Sequence, residues 1–168
     1  LSAALFDQNM TDLIRLQPVG DHGVQFQNRN EMTSRGFALQ VDSRRNDGVW
    51  SYASYSWSRA REMDEAMVNS PLYLVKAGIS TPTSAQVYGG LEMQYEAPRL
   101  TYAGRRTEAA LLTNLNLGWA ITGPVALSLT VTNLFDTAYA TPGGVEHKQD
   151  TIVQDGRSFL VRLKWESR

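Results

Sequence analysis

The stretch that decides the fold is Asn133–Tyr139, "NLFDTAY", which follows directly on "ALSLTVT" at residues 126–132. In the run leading into it, Val125, Leu127, Leu129 and Val131 alternate with Ala126, Ser128 and Thr130. That period of two marks a β-strand with one apolar face, whereas a helix would space its apolar residues by three and four. The alternation stops at Asn133 and Asp136, short polar side chains that bond nearby backbone groups where a strand ends. Beyond lies the longest polar stretch of the chain, residues 140–156, containing "TPGGVEHKQD". A strand therefore ends here and a long surface loop begins.

Working outward, the same alternation recurs. Phe159, Val161, Leu163 and Trp165 share one face of a strand, and Leu160, Arg162 and Lys164 share the other. Leu111, Leu115, Leu117, Trp119 and Ile121 oppose Asn114, Asn116 and Gly118, and Leu91, Met93 and Tyr95 oppose Glu92, Gln94 and Glu96. Phe37, Leu39 and Val41 oppose Ala38, Gln40 and Asp42, while Tyr73, Val75, Ala77 and Ile79 oppose Lys76 and Ser80. In "VWSYASYSWSRA" the aromatics change parity: Trp50 and Tyr52 are on one side, Tyr55 and Trp57 on the other. Either a bulge switches the face there or large side chains occupy both sides.

The connections add a second signal. "RNDG" at 45–48, "TPTSAQ" at 81–86 and "TGP" at 122–124 are brief and rich in turn formers. Between them lie longer polar stretches at 18–23, 61–71, 104–109 and 140–156. This gives about eight strands joined alternately by short and long links, with both chain ends on the short-turn side. An up-and-down transmembrane β-barrel with short periplasmic turns and longer extracellular loops has that pattern. A soluble sandwich shares the alternation of residues but has no reason to alternate its loop lengths. Trp119, Trp165, Tyr95 and Tyr139 fall at or near strand ends, where aromatic girdles are expected.

Composition narrows the alternatives. A chain of 168 residues at 42% hydrophobic holds one domain or one small barrel rather than two domains. With 16 basic and 17 acidic residues the net charge is -1, so nothing recommends nucleic acid as a partner. The absence of cysteine excludes a disulfide scaffold, a thiol nucleophile and a cysteine-based zinc site. No apolar run approaches the roughly 18 residues of a spanning helix, so any crossing must be made by strands. The chain starts at Leu1 in "LSAALFDQN" without a basic region and apolar core of a leader, as expected of a processed chain or a piece of something longer.

"VTNLFDTAYATPGG" followed by "QDGRSFLVRLKW" resembles the last two strands of TonB-dependent outer-membrane receptors, which typically finish with an Asn-Leu-Phe-Asp strand, a long loop and a Gly-Arg-led final strand. "FDQNMTDLIRL", "NRNEMTSRGFALQVD", "YSWSRARE" and "NSPLYLVKAGIS" agree in order, so the resemblance covers nearly the whole chain. It implies the C-terminal part of a receptor barrel over residues 1–168, in the outer membrane of a Gram-negative bacterium. Such receptors take up scarce nutrients, often iron chelates or cobalamin, with energy passed on by TonB. Whole receptors carry a plug inside a barrel of about 22 strands. No segment here resembles a plug or a TonB-contacting box. The resemblance implies outer-membrane lipid, a small-molecule nutrient, TonB acting through the missing plug, and the barrel assembly machinery as partners. Family members commonly end on an aromatic residue that the assembly machinery reads; this chain ends "KWESR", with Ser167 and Arg168 beyond Trp165, which sets inefficient insertion as the expectation.

Within the motif, Asn133, Leu134, Phe135 and Asp136 with Gly156 and Arg157 are read as architectural, Gly156 letting the backbone turn into the final strand. Enzyme chemistry finds no support. The histidines, His22 and His147, fall in loops, and no nucleophile elbow, paired metal-binding histidines or phosphate-cradling loop occurs. No cofactor and no metal site is expected. Arg105 and Arg106, and Glu146 and His147 within the run 146–150, are the candidate ligand contacts on outer loops, against the plainer reading of solvated loops. Glu92 and Glu96 fall on the lumen side, as lining rather than as an acid/base pair. Two alternatives stand beside the receptor: an autonomous eight-stranded outer-membrane barrel, and a soluble ligand-binding barrel with its apolar stripes turned inward.

Overall fold

In a computed structural model the chain is all β, with no helix among the described residues. The structure describes residues 1–20, 23–28, 31–83 and 86–165, without the side chains of 15–17 and 122. His22, Ser167 and Arg168 and part of the turn at 81–86 lie outside the described residues. The strands are β1 (Ser2–Met10), β2 (Ile14–Val19), β3 (Gly23–Asn28), β4 (Met32–Arg44), β5 (Trp50–Glu62), β6 (Glu65–Ala66), β7 (Tyr73–Ser80), β8 (Val87–Glu96), β9 (Ala110–Thr122), β10 (Val125–Thr132), β11 (Ala140–Pro142), β12 (Thr151–Val153) and β13 (Ser158–Trp165).

Eight of these form one continuous antiparallel path, β1-β4-β5-β7-β8-β9-β10-β13, with β6 attached to β5. The others pair as small hairpins, β2 with β3 and β11 with β12. All the short strands fall inside long connections, so the chain crosses the sheet eight times and turns back alternately by short and long links. At the short-turn end, Gly48 closes one reversal with φ +85 and Gly123 another with φ +47, a left-handed backbone that glycine adopts without strain. Pro18, Val19 and Gly23 belong to the paired strands β2 and β3 within a link that runs from 11 to 31, so the polar stretch 18–23 is not a whole connection. Strands β1 and β13 are the two edges of this path and, among the described residues, do not pair with each other, so the eight strands are arranged as a length of barrel wall.

Register settles the faces. Leu127 pairs with Trp119 and Leu163, Leu129 with Leu117 and Val161, and Val131 with Leu115 and Phe159, so one stripe continues across three strands. Leu91, Met93 and Tyr95 extend it through β8, Val75, Ala77 and Ile79 through β7, and Phe37, Leu39 and Val41 through β4. The register of β5 with both neighbours is unbroken. No bulge switches its face: Tyr55 and Trp57 lie on the apolar stripe, Trp50 and Tyr52 on the opposite side. The ring centroids of Phe37 and Trp57, Tyr55 and Tyr73, and Tyr73 and Tyr95 stand 6.1, 6.4 and 5.9 Å apart, forming an aromatic ribbon toward the long-connection end. Trp119 and Trp165 mark the other rim, whereas Tyr139 precedes β11 inside a long connection and belongs to neither.

The opposite face is built differently. Phe6, Tyr52 and Tyr88 stand directly across from Gly36, Gly78 and Gly118. A Cβ on those glycines would lie 2.5, 2.5 and 2.2 Å from the facing ring, so each aromatic lies flat over its glycine. This cross-strand pairing covers glycine backbone and pins register. The Tyr52 hydroxyl then donates to the Glu92 carboxylate at 3.0 Å.

The chain exposes 11891 Å². A compact soluble chain of 18.7 kDa would expose about 8,300 Å² by the usual size scaling. Val161 and Leu163 remain 66% and 69% exposed and Leu117 44%, so the apolar stripe is not gathered into a dry centre, as an inward-facing soluble barrel would require. Apart from Gly118 under the Tyr88 ring, the buried residues of the wall lie toward the long-connection end, where Ala97, Thr101, Ala110, Thr113, Val131 and Asn133 pack together with the connections above β8, β9 and β10. Hydrocarbon, in which every backbone group must be satisfied within the sheet, suits a surface built this way.

Candidate functional site

The long-connection end is organised by local backbone chemistry. At the end of β10, Asn133 takes a left-handed φ of +50. Its side chain brackets Thr137, accepting from the Thr137 amide and donating to the Thr137 carbonyl, each at 2.9 Å. The Asn133 amide donates to the Asn114 side chain on β9 at 3.0 Å, and the Leu134 amide to the Thr113 carbonyl at 2.7 Å. Asp136, also left-handed at φ +55, accepts the Arg157 amide at 2.7 Å. Gly156 does not have a left-handed φ; a Cβ there would lie 2.8 Å from Asp136 Oδ1, so glycine supplies room rather than a turn. Arg157 returns along the same corner, donating to the Leu134 carbonyl at 3.4 Å and holding its guanidinium 5.6 Å from the Phe159 ring centroid. Phe135 is exposed.

Two neighbouring connections are then joined. Residues 99–107 fold into a small hairpin through reciprocal Arg99–Thr107 and Leu100–Arg106 pairing, with Gly104 at φ +75 in its turn. Asp150, from the connection between β10 and β13, reaches onto it. Its carboxylate accepts the Ala103 amide at 3.1 Å and Arg105 Nε and Nη2 at 3.0 and 2.9 Å. Burial pushes the Asp150 carboxyl up, but bonds from Thr101, the Ala103 amide and Arg105 outweigh it and hold the group below the usual carboxylate range. The Asp150 carbonyl also accepts the Gly143 amide at 2.9 Å, which closes the connection on itself.

The four candidate ligand contacts are thereby divided. Arg105 is engaged by Asp150. Arg106, next along the same hairpin, turns elsewhere and lines a crevice of about 280 Å³ with Trp57, Arg59, Met67, Leu72 and Leu100. Glu146 and His147 pair with each other at 3.1 Å, both partly exposed. On the lumen side Glu96 is met by Arg99 and by Gln94, the latter at 2.6 Å, and Glu92 by Tyr52. Among the described residues no group of acidic and histidine side chains is placed to hold a metal ion. Thr101 is an organising residue that the sequence pattern does not mark out, and the pattern gives no sign of the structural roles of Asn114 or of Asp150, the last residue of the run 146–150.

Residues 1–134 match the family model described as TonB dependent receptor-like, beta-barrel. The chain belongs to this family. Solved receptor barrels have the same fold. The chain is similar to the ferric yersiniabactin uptake receptor FyuA from Yersinia pestis, with a TM-score of 0.77 at 18% identity over 97% of this chain and 27% of that one. It is similar to the siderophore receptor PiuA from Acinetobacter baumannii, with a TM-score of 0.74 at 17% identity over 97% and 25%. It is also similar to the copper transporter OprC, with a TM-score of 0.74 at 18% identity over 97% and 28%. The chain thus spans about a quarter of the length of these receptors. No curated protein matches it. As a receptor barrel wall, the segment carries its crossing strands in one sheet and its long connections at one end.

Proposed function

We propose that this chain is the C-terminal part, over residues 1–168, of a receptor in the outer membrane of a Gram-negative bacterium that takes up a scarce nutrient such as an iron chelate or cobalamin. The segment supplies barrel wall and ligand-facing outer loops and performs no catalysis. The observation that carries the reading is the exposed apolar stripe, continuous across eight antiparallel strands and bounded by aromatic rims, with every long connection at one end. That arrangement separates a lipid-facing band from a polar interior and gathers the loops on one side of the membrane.

Arg105, Arg106, Glu146 and His147 are proposed to stand on the outer loops, with Arg105 held by Asp150 as part of the loop frame. Outer-membrane lipid surrounds the wall, the barrel assembly machinery inserts it, and TonB acts through a plug domain carried elsewhere in the protein. Deleting the gene and measuring uptake of labelled ferric chelates and cobalamin, in cells with and without TonB, tests the reading. Uptake of at least one nutrient is expected to fall to the level of cells lacking TonB. Unchanged uptake of the whole panel, or uptake that persists without TonB, would count against it.

A further inference from the structure

Arg35 and Arg59 stand directly opposite each other in the β4–β5 register. They share the stripe that carries Phe37 and Trp57 one step further in. Like charges facing one another across an antiparallel pair destabilise a sheet unless a counterion sits between or beside them. Asp7, the register partner of Arg35 on β1, meets Arg35 at 3.1 Å. Arg59, and Arg61 two residues along the same stripe, have no ion-pair partner among the described residues. Arg106 arrives at the same place from the 99–107 hairpin, sharing with Arg59 the crevice lined by Trp57, Met67, Leu72 and Leu100.

The level of this cluster matters as much as its charge. Aromatic side chains on a membrane wall sit at the headgroup level. A strand rises about 3.4 Å per residue, so Arg59 lies roughly 7 Å beyond Trp57 on the same surface, where lipid phosphates are found. Guanidinium groups present a planar fork that matches phosphate oxygens, while the apolar crevice floor accepts the adjoining carbon chain. The distribution is one-sided: on this stripe Trp119 and Trp165 at the opposite rim are paired with Leu127 and Val125, not with cations.

We propose that Arg59, Arg61 and Arg106, with Arg35 at their edge, bind the phosphate of a phosphorylated lipid in the outer leaflet, its apolar part resting against Trp57, Leu72 and Leu100. This rests on the membrane reading above. The test uses the intact protein purified in uncharged detergent. Its melting temperature is followed on adding phosphatidic acid, phosphatidylcholine or inorganic phosphate, and its folded barrel is scored separately by heat-modifiable migration on a gel.

Phosphatidic acid is expected to raise the melting temperature of the wild type, and the shift to fall by half or more in the Arg59→Gln/Arg106→Gln double variant. The shift is expected to persist in Arg45→Gln, a change in the turn between β4 and β5 at the opposite end. Equal shifts in wild type and double variant, or an equal loss in Arg45→Gln, would overturn the site. An arginine-dependent shift with inorganic phosphate alone would overturn its assignment to lipid. A wild type without a heat-modifiable form would remove the membrane reading and this site together, whereas an intact form with no arginine-dependent shift removes only the site.

Discussion

The Asp136 carboxylate accepts the Arg157 backbone amide at 2.7 Å, and in doing so joins the end of β10 to the start of β13 across the longest connection in the chain. Two requirements meet at Asp136: an acceptor for that amide and a side chain that tolerates φ +55. Asp136→Ala fails both and is expected to cost about 2 kcal/mol, whereas Asp136→Asn keeps an acceptor and the left-handed tolerance and is expected to cost less than about 1 kcal/mol. Gly156→Ala forces a Cβ against Oδ1. Its cost should therefore shrink in the Asp136→Ala background, as contacting residues do in a double-mutant cycle. Thermal denaturation of the intact protein in detergent measures all three.

Gly118 lies under the Tyr88 ring, and a Cβ there would sit 2.2 Å from the ring carbon that bears the hydroxyl. Gly118→Ala must swing the ring off its cross-strand seat, at a cost of about 1–3 kcal/mol, the range seen for overpacking. The paired change Gly118→Ala with Tyr88→Ala removes the collision and should melt above Gly118→Ala alone. A double variant no more stable than the single one would show that the ring is not what the methyl meets.

How much of this was legible beforehand follows from what a strand shows about itself. Val125 to Val131 and Phe159 to Trp165 announce their faces because each strand has unlike sides, and the same holds for β4, β7, β8 and β9. The parity change at Trp50, Tyr52, Tyr55 and Trp57 left a bulge open, since alternation within one strand says nothing about register with its neighbours; the unbroken pairing closed that option. For the same reason the glycines under Phe6, Tyr52 and Tyr88 carried no signal, as each partner lies on another strand. Short elements such as "ATP" in β11 and "TIV" in β12 are too brief for any period. In the candidate site, Arg105 and Arg106 read as one basic pair, yet neighbours on a hairpin point to opposite sides. The partner that decides Arg105, Asp150, is 45 residues away in sequence.

Asp150 sets an expectation for acid. Its carboxyl is held below the usual range, so the contribution of its bonds to the folded state is present above the unfolded carboxyl value near 3.9 and is lost as pH falls through the lower folded value. Between pH 5 and 8 the clasp between the 99–107 hairpin and the last connection should be unaffected. Limited proteolysis of residues 140–156 is expected to stay slow across that window and to accelerate several-fold in Asp150→Asn or Arg105→Gln. A rate that rises between pH 8 and 5 in the wild type would point to another group.

Thr113 and Thr101 are both fully buried and behave differently. Among the described residues the Thr113 hydroxyl has no hydrogen-bond partner, whereas Thr101 Oγ1 accepts the Arg105 amide at 3.1 Å and bonds Asp150. Thr113→Val removes an unpaired polar group at almost constant shape and should be neutral or stabilise by about 1 kcal/mol. Thr101→Val leaves the Arg105 amide without its side-chain acceptor and should destabilise by about 1–2 kcal/mol. Denaturation midpoints of the two variants, compared side by side, check the opposite signs.

The sidedness of the wall gives the sharpest contrast, because Leu129 and Thr130 are adjacent on β10 and point to opposite faces. Leu129 pairs with Leu117 and Val161, in the middle of the apolar stripe; Thr130 pairs with Asn116 and Leu160, and its hydroxyl donates to Asn116 Oδ1 at 2.8 Å. An arginine at the lipid midplane costs about 2–4 kcal/mol, while the polar interior of a barrel solvates it. Leu129→Arg should therefore abolish or sharply reduce the folded, heat-modifiable form in outer-membrane fractions. Thr130→Arg should retain that form, losing only about 1 kcal/mol with the Asn116 bond. Equal tolerance of the two would mean that the stripe does not meet acyl chains. The reverse order would mean that the apolar face points inward, and the receptor reading would fall with it.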